Sequence, residues 1–294
     1  MIGDSCLIPD LAERFSREAE PYEVVHVPCP GCGSEISALE TKKNGFSVVR
    51  CLECSCLYVN PRPIEPQLVE IYRRIPQLSN GREGQSVDNV EDGRREAAYR
   101  LRRMIQFVKA GRLLDLGCGR GDFLTVAHRH FDAVGVDIVN RTRPELSPSS
   151  VFEGRLEDAR FDRDSFDAIT AVEVFEHLFD PRRTLREIHR ILRPGGMLLL
   201  QTGDPDGLPA RMNLDRWSYL QPPIHLNFLG RRALHTLFAG AGFRVLRAWS
   251  FGRAPQRTPV IARFLNSETL RPLFDLTARV GVLGQMYAVV KEAT

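Results

Sequence analysis

The sequence predicts an α/β protein in which a mostly parallel sheet, covered by helices on both faces, follows a small module organised by paired cysteines. Three observations carry this. Short apolar runs alternate with helical stretches from Arg112 onward. Residues 113–124 read as a strand, three alternate glycines and a departing helix. Two C-x-x-C pairs, Cys29/Cys32 and Cys51/Cys54, precede that region. Alternation of strands and helices is the pattern of a parallel sheet with crossover helices.

Length and composition fit this plan. The chain has 294 residues, 43% hydrophobic and 26% charged, enough for one large domain and a small one. A formal net charge of +3 is too small to imply a polyanionic partner. No run of about 18 apolar residues occurs, so no membrane span is expected. Met1–Cys6 shows no basic start followed by an apolar stretch, so no secretory leader is expected. Paired C-x-x-C motifs in such a chain favour metal over disulfides, which places the protein in a reducing cytoplasm.

In chain order, residues 1–23 read as a helical lead-in and 24–62 as the cysteine module, closed by Asn60-Pro61-Arg62-Pro63. Gly45–Arg50 within it reads as a strand. A short helix is expected over Gln67–Arg73. Residues 76–94, rich in Gly, Ser, Asn, Asp and Glu, read as a linker. The expected division is thus 1–75, a linker at 76–94, and a large domain at 95–294. A basic helix over Arg95–Lys109 leads into it. Strands are expected at Leu113-Leu114, Ala133–Val136, Phe166–Ile169, Met197–Leu200, Phe243–Leu246 and Met286–Val290, with a helix over Thr184–Leu192.

Leu116-Gly117-Cys118-Gly119-Arg120-Gly121 is the most informative stretch. Glycines let backbone pass close to a ligand without a Cβ in the way. In an open parallel sheet this first turn faces the crevice at the carboxyl ends of the strands. The spacing is G-x-G-x-G, not the G-x-G-x-x-G of dinucleotide binders. The next strand ends at Asp137, whose carboxylate can accept from both ribose hydroxyls of an adenosine. The plainer alternative is a tight strand–helix turn beside a solvated acid.

Leu114–Gly121 resembles the first motif of class I S-adenosylmethionine (SAM)-dependent methyltransferases, and Asp137 matches their ribose-binding acid. Gly154–Asp158 resembles the adenine loop, with Arg155 where many relatives carry an acid. Ser165–Ile169 and Glu176–Pro181 resemble the fourth strand and its exit. Leu192–Gly196, His225–Phe228 and Ala241–Phe243 match later landmarks. The resemblance covers about residues 95–294. It implies a Rossmann-like methyltransferase sheet, with SAM held by Asp115, Gly117, Cys118, Gly119, Gly121, Asp137, Ile138, Leu156, Glu157, Val172 and Glu173.

The spacing of Cys29/Cys32 and Cys51/Cys54 fits a four-cysteine zinc ribbon. A closed four-thiolate site has no open position, so Zn²⁺ there is structural. Cys56 is expected to be a packed thiol. Residues 29–63 resemble the zinc-binding N-terminal module of some sugar and natural-product methyltransferases. The second knuckle of those relatives ends in Gly, where this chain has Ser55. Zinc ribbons also bind RNA, but residues 1–60 hold five Lys/Arg against nine Asp/Glu, the wrong sign for phosphate.

For the substrate side, His177 follows Glu176 just past the fourth strand, and a histidine there can act as a general base. Glu-His pairs at this point are catalytic in sugar C-methyltransferases and structural in other relatives. His225 lies in an aromatic and proline-rich loop, Trp217–Asn227. It either lines the substrate wall or caps the helix starting near Gly230. Arg182, Arg183, Arg186 and Arg190 read as a solvated helix face. Residues 203–294 hold twelve Lys/Arg against six Asp/Glu, with Arg211, Arg216, Arg253 and Arg257 in crevice loops, where guanidinium forks would suit a phosphate-bearing substrate. Scattered surface charge is the plainer reading. Val260–Leu283 could cover substrate, line a lipid-like site or form a homodimer face.

The expected function is methyl transfer to a small biosynthetic molecule, such as a sugar, a nucleotide-linked sugar or another hydroxylated metabolite. The alternatives are an RNA or protein methyltransferase that docks through the ribbon, and a SAM-binding protein without catalysis. The acidic ribbon argues against nucleic acid.

Overall fold

The computed structural model describes residues 22–79, 90–142, 150–251 and 284–292. The expected lead-in helix, the Val260–Leu283 stretch, Arg253 and Arg257 lie outside them, wholly or for the most part.

Strands β1 (Val24–Val25) to β5 (Arg62–Pro63) form the cysteine module, with β2 at Ser37–Lys43, β3 at Phe46–Cys51 and β4 at Leu57–Val59. Helices α1 (Glu65–Ser79) and α2 (Val90–Met104) follow. The large sheet then runs β6 (Gly111–Leu116), α3 (Asp122–Ala127), β7 (Phe131–Asp137), β8 (Val151–Glu153), β9 (Phe166–Val172), α4 (Pro181–Ile191), β10 (Leu192–Gly203) and α5 (Leu208–Met212). The remaining elements are β11 (Asn227–Phe228), α6 (Arg231–Gly240), β12 (Phe243–Phe251) and β13 (Gly284–Lys291). All six expected strands of the large domain form.

The seven-stranded sheet has the order β12-β13-β10-β9-β6-β7-β8. Its pairs from β10 to β8 are parallel, and β13 runs antiparallel between β10 and β12. Side-chain alternation divides the core. Leu113, Ala168, Met197 and Leu199 pack with Leu101 and Met104 of α2 and Phe123 and Leu124 of α3. Leu114, Ile169, Leu198 and Leu200, one residue out of phase, pack with Leu185, Ile188 and Ile191 of α4 and Leu234 and Phe238 of α6. Helix α4 starts cleanly because Asp180 accepts from the amides of Arg182 and Arg183, each at 3.0 Å, and Pro181 occupies its first turn.

The two helices that precede the large sheet differ from their expected bounds. Helix α1 is twice the expected length, and α2 begins at Val90 within the expected linker. Gly93, read as a linker signal, lies inside α2, where an added Cβ would stand 2.6 Å from Asp122 Oδ2 of α3. The glycine serves close helix packing.

The cysteine module does not stand apart. Its β2, β3 and β4 form a four-stranded sheet with β11, whose Asn227 and Phe228 pair with Tyr58 and Leu57. Phe46, Val48, Leu57 and Val59 share one buried cluster with Trp217, Tyr219, Leu220, Ile224, Leu226 and Phe228. Side chains of this size each contribute about 1.5–3 kcal/mol when fully buried.

Candidate active site and metal centre

The glycine loop leaves the carboxyl end of β6 with Gly117, Gly119 and Gly121 at φ of 71, 51 and 77°. An added Cβ at Gly117 would strike Val174 at 2.4 Å, whereas one at Gly119 would meet nothing within 4 Å. Gly117 is therefore required by packing, and Gly119 borders open space, as a loop that cradles a ligand should. Asp137 at the end of β7 faces this loop. Its carboxylate accepts from Gly119 N at 2.8 Å and Val139 N at 3.0 Å. Each oxygen retains a free lone pair, enough for two ribose hydroxyls. The Cys118 thiol is buried in the core, pressed against Gly135 and raised by burial, so only its backbone faces the loop.

Ile138, Gly154, Arg155 and Asp158 line a cleft of about 230 Å³ closed on its far side by Glu65, Pro66, Val69 and Arg73 of α1. Arg155 bridges the two walls, bonding Asp158 at 2.8 Å and Glu65 at 3.1 Å. Leu156 is buried beneath. Glu157 turns away from the cleft, accepting from Thr184 Oγ1 of α4 at 2.9 Å. Of these two neighbouring acids, Asp158 is the one that lines the cleft.

Behind the glycine loop lies an acidic network, buried at Asp115 and Glu176 and half-buried at Glu173. Asp115 accepts from Thr170 Oγ1 at 2.6 Å, and burial pushes its carboxyl up to about 7. Val172 ends β9, and Glu173 follows with φ of 54°, a left-handed conformation costly for a residue with a Cβ. Glu173 accepts from Gln201 Nε2 at 2.9 Å and from Tyr219 at 2.9 Å. Tyr219 also contacts Glu176, whose other oxygen accepts from Thr202 Oγ1 at 2.9 Å. The Tyr219 hydroxyl thus links the two carboxyl groups. Burial, then the neighbouring Glu176, pushes Glu173 up to about 8, and burial raises Glu176 as well.

One ligand atom each of Glu176, His177 and His225 lies within 4.8 Å of the others. His177 Nδ1 meets the Ile224 carbonyl at 3.0 Å, and His225 Nδ1 meets the Tyr219 carbonyl at 2.6 Å. A carbonyl only accepts, so both rings carry the proton on Nδ1 and present Nε2 as an acceptor. The rings are 4.7 Å apart, and Tyr72 of α1 stands edge-on to His177 at 5.1 Å. Burial depresses both imidazoles, His225 further because His177 adjoins it. His225 is fully buried and its Nε2 has no partner among the described residues. The sequence left a helix-capping role open for His225. The helix start is instead satisfied by Asp206, which accepts from Arg231 N at 2.8 Å.

Of the arginines, Arg182 lies against Gly33 of the first knuckle, and Arg190 binds Glu187 and the Phe161 carbonyl, so that face is only partly solvated. Arg211 and Arg216 are exposed.

The four expected metal cysteines come together. One sulfur each of Cys29, Cys32, Cys51 and Cys54 lies within 4.8 Å of the rest, with Cys29–Cys54 at 3.4 Å and Cys32–Cys51 at 3.5 Å. A tetrahedral zinc with Zn–S of about 2.3 Å needs sulfur edges of about 3.8 Å, so the set fits that ion with little movement. Both knuckles close alike. Gly33 N donates to the Cys29 carbonyl and Ser55 N to that of Cys51, with φ of 83 and 63° at Gly33 and Ser55. Cys56 is buried against the Leu57 and Phe228 carbonyls, outside the four-thiol group.

A sheet of this order, with a glycine loop and an acid at adjacent strand ends, defines the Rossmann-like fold of class I methyltransferases. A family described as a methyltransferase domain matches residues 90–248, more than half of the chain, and the chain belongs to that family. Relatives include a probable S-adenosylmethionine-dependent methyltransferase of Mycobacterium tuberculosis, 28% identical over 58% of this chain and 59% of its own length. An uncharacterised methyltransferase of the same organism is 36% identical over 30% of this chain and 38% of its own. A fatty-acid O-methyltransferase of Mycolicibacterium smegmatis is 30% identical over 44% and 48%. The chain thus spans less than two thirds of the length of these relatives. Among solved structures, a SAM-dependent methyltransferase of Archaeoglobus fulgidus superposes with a TM-score of 0.51 at 20% identity, covering 67% of this chain and 94% of its own. The 4+2 cyclase SpnF superposes at 0.54 and 20%, covering 79% and 98%. At these identities the likeness concerns the fold.

Tyr72, Tyr219, Gln201 and Thr202 were not singled out from sequence. Only Tyr219 had a signal, its place in the aromatic loop beside His225.

Proposed function

We propose that the protein transfers a methyl group from S-adenosylmethionine to an oxygen or carbon of a hydroxylated small molecule of biosynthetic metabolism, a sugar or nucleotide-linked sugar included. The observation that carries this is the histidine pair. Two imidazoles stand with ring centroids 4.7 Å apart beside Glu176, each held through Nδ1 by a backbone carbonyl, which leaves Nε2 as the acceptor. A neutral imidazole Nε2 can accept a proton from a hydroxyl or an enolisable carbon.

Bound SAM supplies an activated methyl on its sulfonium. The protein's part is to hold, orient and deprotonate. Gly117, Cys118 backbone, Gly119 and Gly121 cradle the cofactor, and Asp137 holds its ribose. Ile138, Leu156 and Asp158 border the adenine end, and α1 screens it from solvent. Asp115, Val172 and Glu173 lie at the strand ends beneath. Aligning acceptor and donor supplies much of the rate. His177 Nε2 takes the acceptor's proton, and His225 Nε2 positions a second donor group of the substrate. Glu176 supports the wall through Tyr219 and Thr202.

The four-cysteine site holds a structural zinc ion. Among the described residues no helix is long and apolar enough to cross a membrane.

The test is thermal unfolding of the full chain with S-adenosylhomocysteine, against sugars, nucleotide sugars and other hydroxylated metabolites. A ligand present at 100 times its Kd adds about 2.7 kcal/mol. Protection by a hydroxylated metabolite that depends on S-adenosylhomocysteine supports the reading. Protection by RNA or a protein peptide and by no metabolite overturns it.

A further inference from the structure

The backbone between Phe175 and Phe179 carries Glu176 and His177, and four of its five carbonyls are held from outside β9. Asn227 Nδ2 donates to the carbonyls of Phe175 at 2.9 Å and Leu178 at 2.7 Å, one on each side of the Glu-His pair. The amides of Leu226 and Asn227 donate to the Glu176 carbonyl at 2.7 and 3.1 Å. Arg62 of β5, fully buried, donates to the Phe179 carbonyl at 3.0 Å and to Val59 at 3.1 Å.

These holding groups belong to the cysteine module or are paired to it. Asn227 sits opposite Tyr58 in the β4–β11 ladder, and Val59 N donates to the Leu226 carbonyl at 2.9 Å. Upstream on the same loop, Thr41 binds the Asp215 carboxylate at 2.6 Å, and Asn44 binds the Pro222 carbonyl at 2.9 Å. Strand β3 ends on Cys51, and β4 leaves the second knuckle at Leu57. The four thiols therefore fix the end of β3 and the start of β4, β4 fixes β11, and Asn227 fixes the turn.

We propose that Asn227 is a positioning residue for the Glu176–His177 turn, and that the four-cysteine module acts on the active site through it. The module is then a built-in wall of the site, where an appended docking domain would have left the turn alone. This rests on the reading of His177 as the base.

The test needs no acceptor substrate. The full chain is labelled with ¹⁵N-histidine, and long-range proton–nitrogen spectra report the tautomer of each ring, with His177 assigned from His177→Gln. In the wild type His177 is expected as the pure Nδ1–H tautomer, set by the Ile224 carbonyl. Asn227→Asp removes both donors and places a carboxylate against two carbonyls. It is expected to keep stoichiometric zinc and S-adenosylhomocysteine affinity within about twofold while His177 becomes a tautomer mixture. Asn227→Ser, smaller and uncharged, repeats the test if the aspartate unfolds the chain. Removing the metal from the wild type with a chelator is expected to give the same His177 signature. An unchanged His177 spectrum in the Asn227 variants overturns the positioning role. A changed spectrum there with an unchanged one after chelation overturns the link to the module. The base assignment fails separately, if His177→Ala keeps wild-type turnover.

Discussion

Gly119→Ala separates cofactor contact from backbone strain. At φ of 51° an alanine sits in the left-handed region, at a cost of about 1–2 kcal/mol. The alanine also restricts the unfolded chain, which returns about 0.4–1 kcal/mol. Its methyl meets no protein atom within 4 Å, so packing adds nothing. The net loss is about 1 kcal/mol, or roughly 2–4 °C in Tm for a domain of this size. Affinity for S-adenosylhomocysteine should suffer far more, because the methyl stands where the ligand passes. A fall of at least about 100-fold, near 2.7 kcal/mol, is expected by calorimetry. Gly195→Ala is the control. It has φ of 76° and open space around its Cβ, but lies toward the opposite end of β10 from the site. It should show a similar Tm shift and unchanged affinity. If Gly119→Ala binds the ligand within threefold of wild type, the cofactor does not lie over this loop.

Three further outcomes are expected. Ser55→Gly relieves a left-handed serine at the second knuckle and should raise stability by up to about 1 kcal/mol in denaturant unfolding, with zinc content unchanged; a loss of stability would show that the serine is not strained. Glu173→Gln should flatten the pH dependence of unfolding. The folded carboxyl is pushed up to about 8, above its unfolded value near 4.5, so its contribution is full below pH 4.5 and is lost as pH rises through 8. The variant should therefore gain on the wild type toward pH 8, and parallel curves from pH 5 to 9 would contradict this. Cys51→Ser should remove near-stoichiometric zinc measured by elemental analysis and lower the unfolding temperature, whereas full metal content would exclude this ligand set.

The fold was legible where local pattern and global role coincide. Short apolar runs became the six expected strands, and the alternate glycines became the loop at the end of β6. Gly93 misled because a glycine read as linker composition serves a helix–helix approach in space. Strand β11 is two residues long and carries no periodicity, so the sheet shared by the cysteine module and Asn227 could not be read. The same holds for the Glu173–Tyr219–Glu176 contacts, which join residues more than forty positions apart. Glu157 and Asp158 are neighbours, and only the turn of the short helix at Leu156–Asp158 decides which faces the cleft.

The central claim is methyl transfer to a small hydroxylated acceptor. It is tested most directly by incubating the purified chain with methyl-labelled S-adenosylmethionine and a cell extract separated into metabolite, RNA and protein fractions. Label is expected in the metabolite fraction, lost with His177→Ala and with Gly119→Ala. Label in RNA or protein, with none in the metabolites, would contradict it.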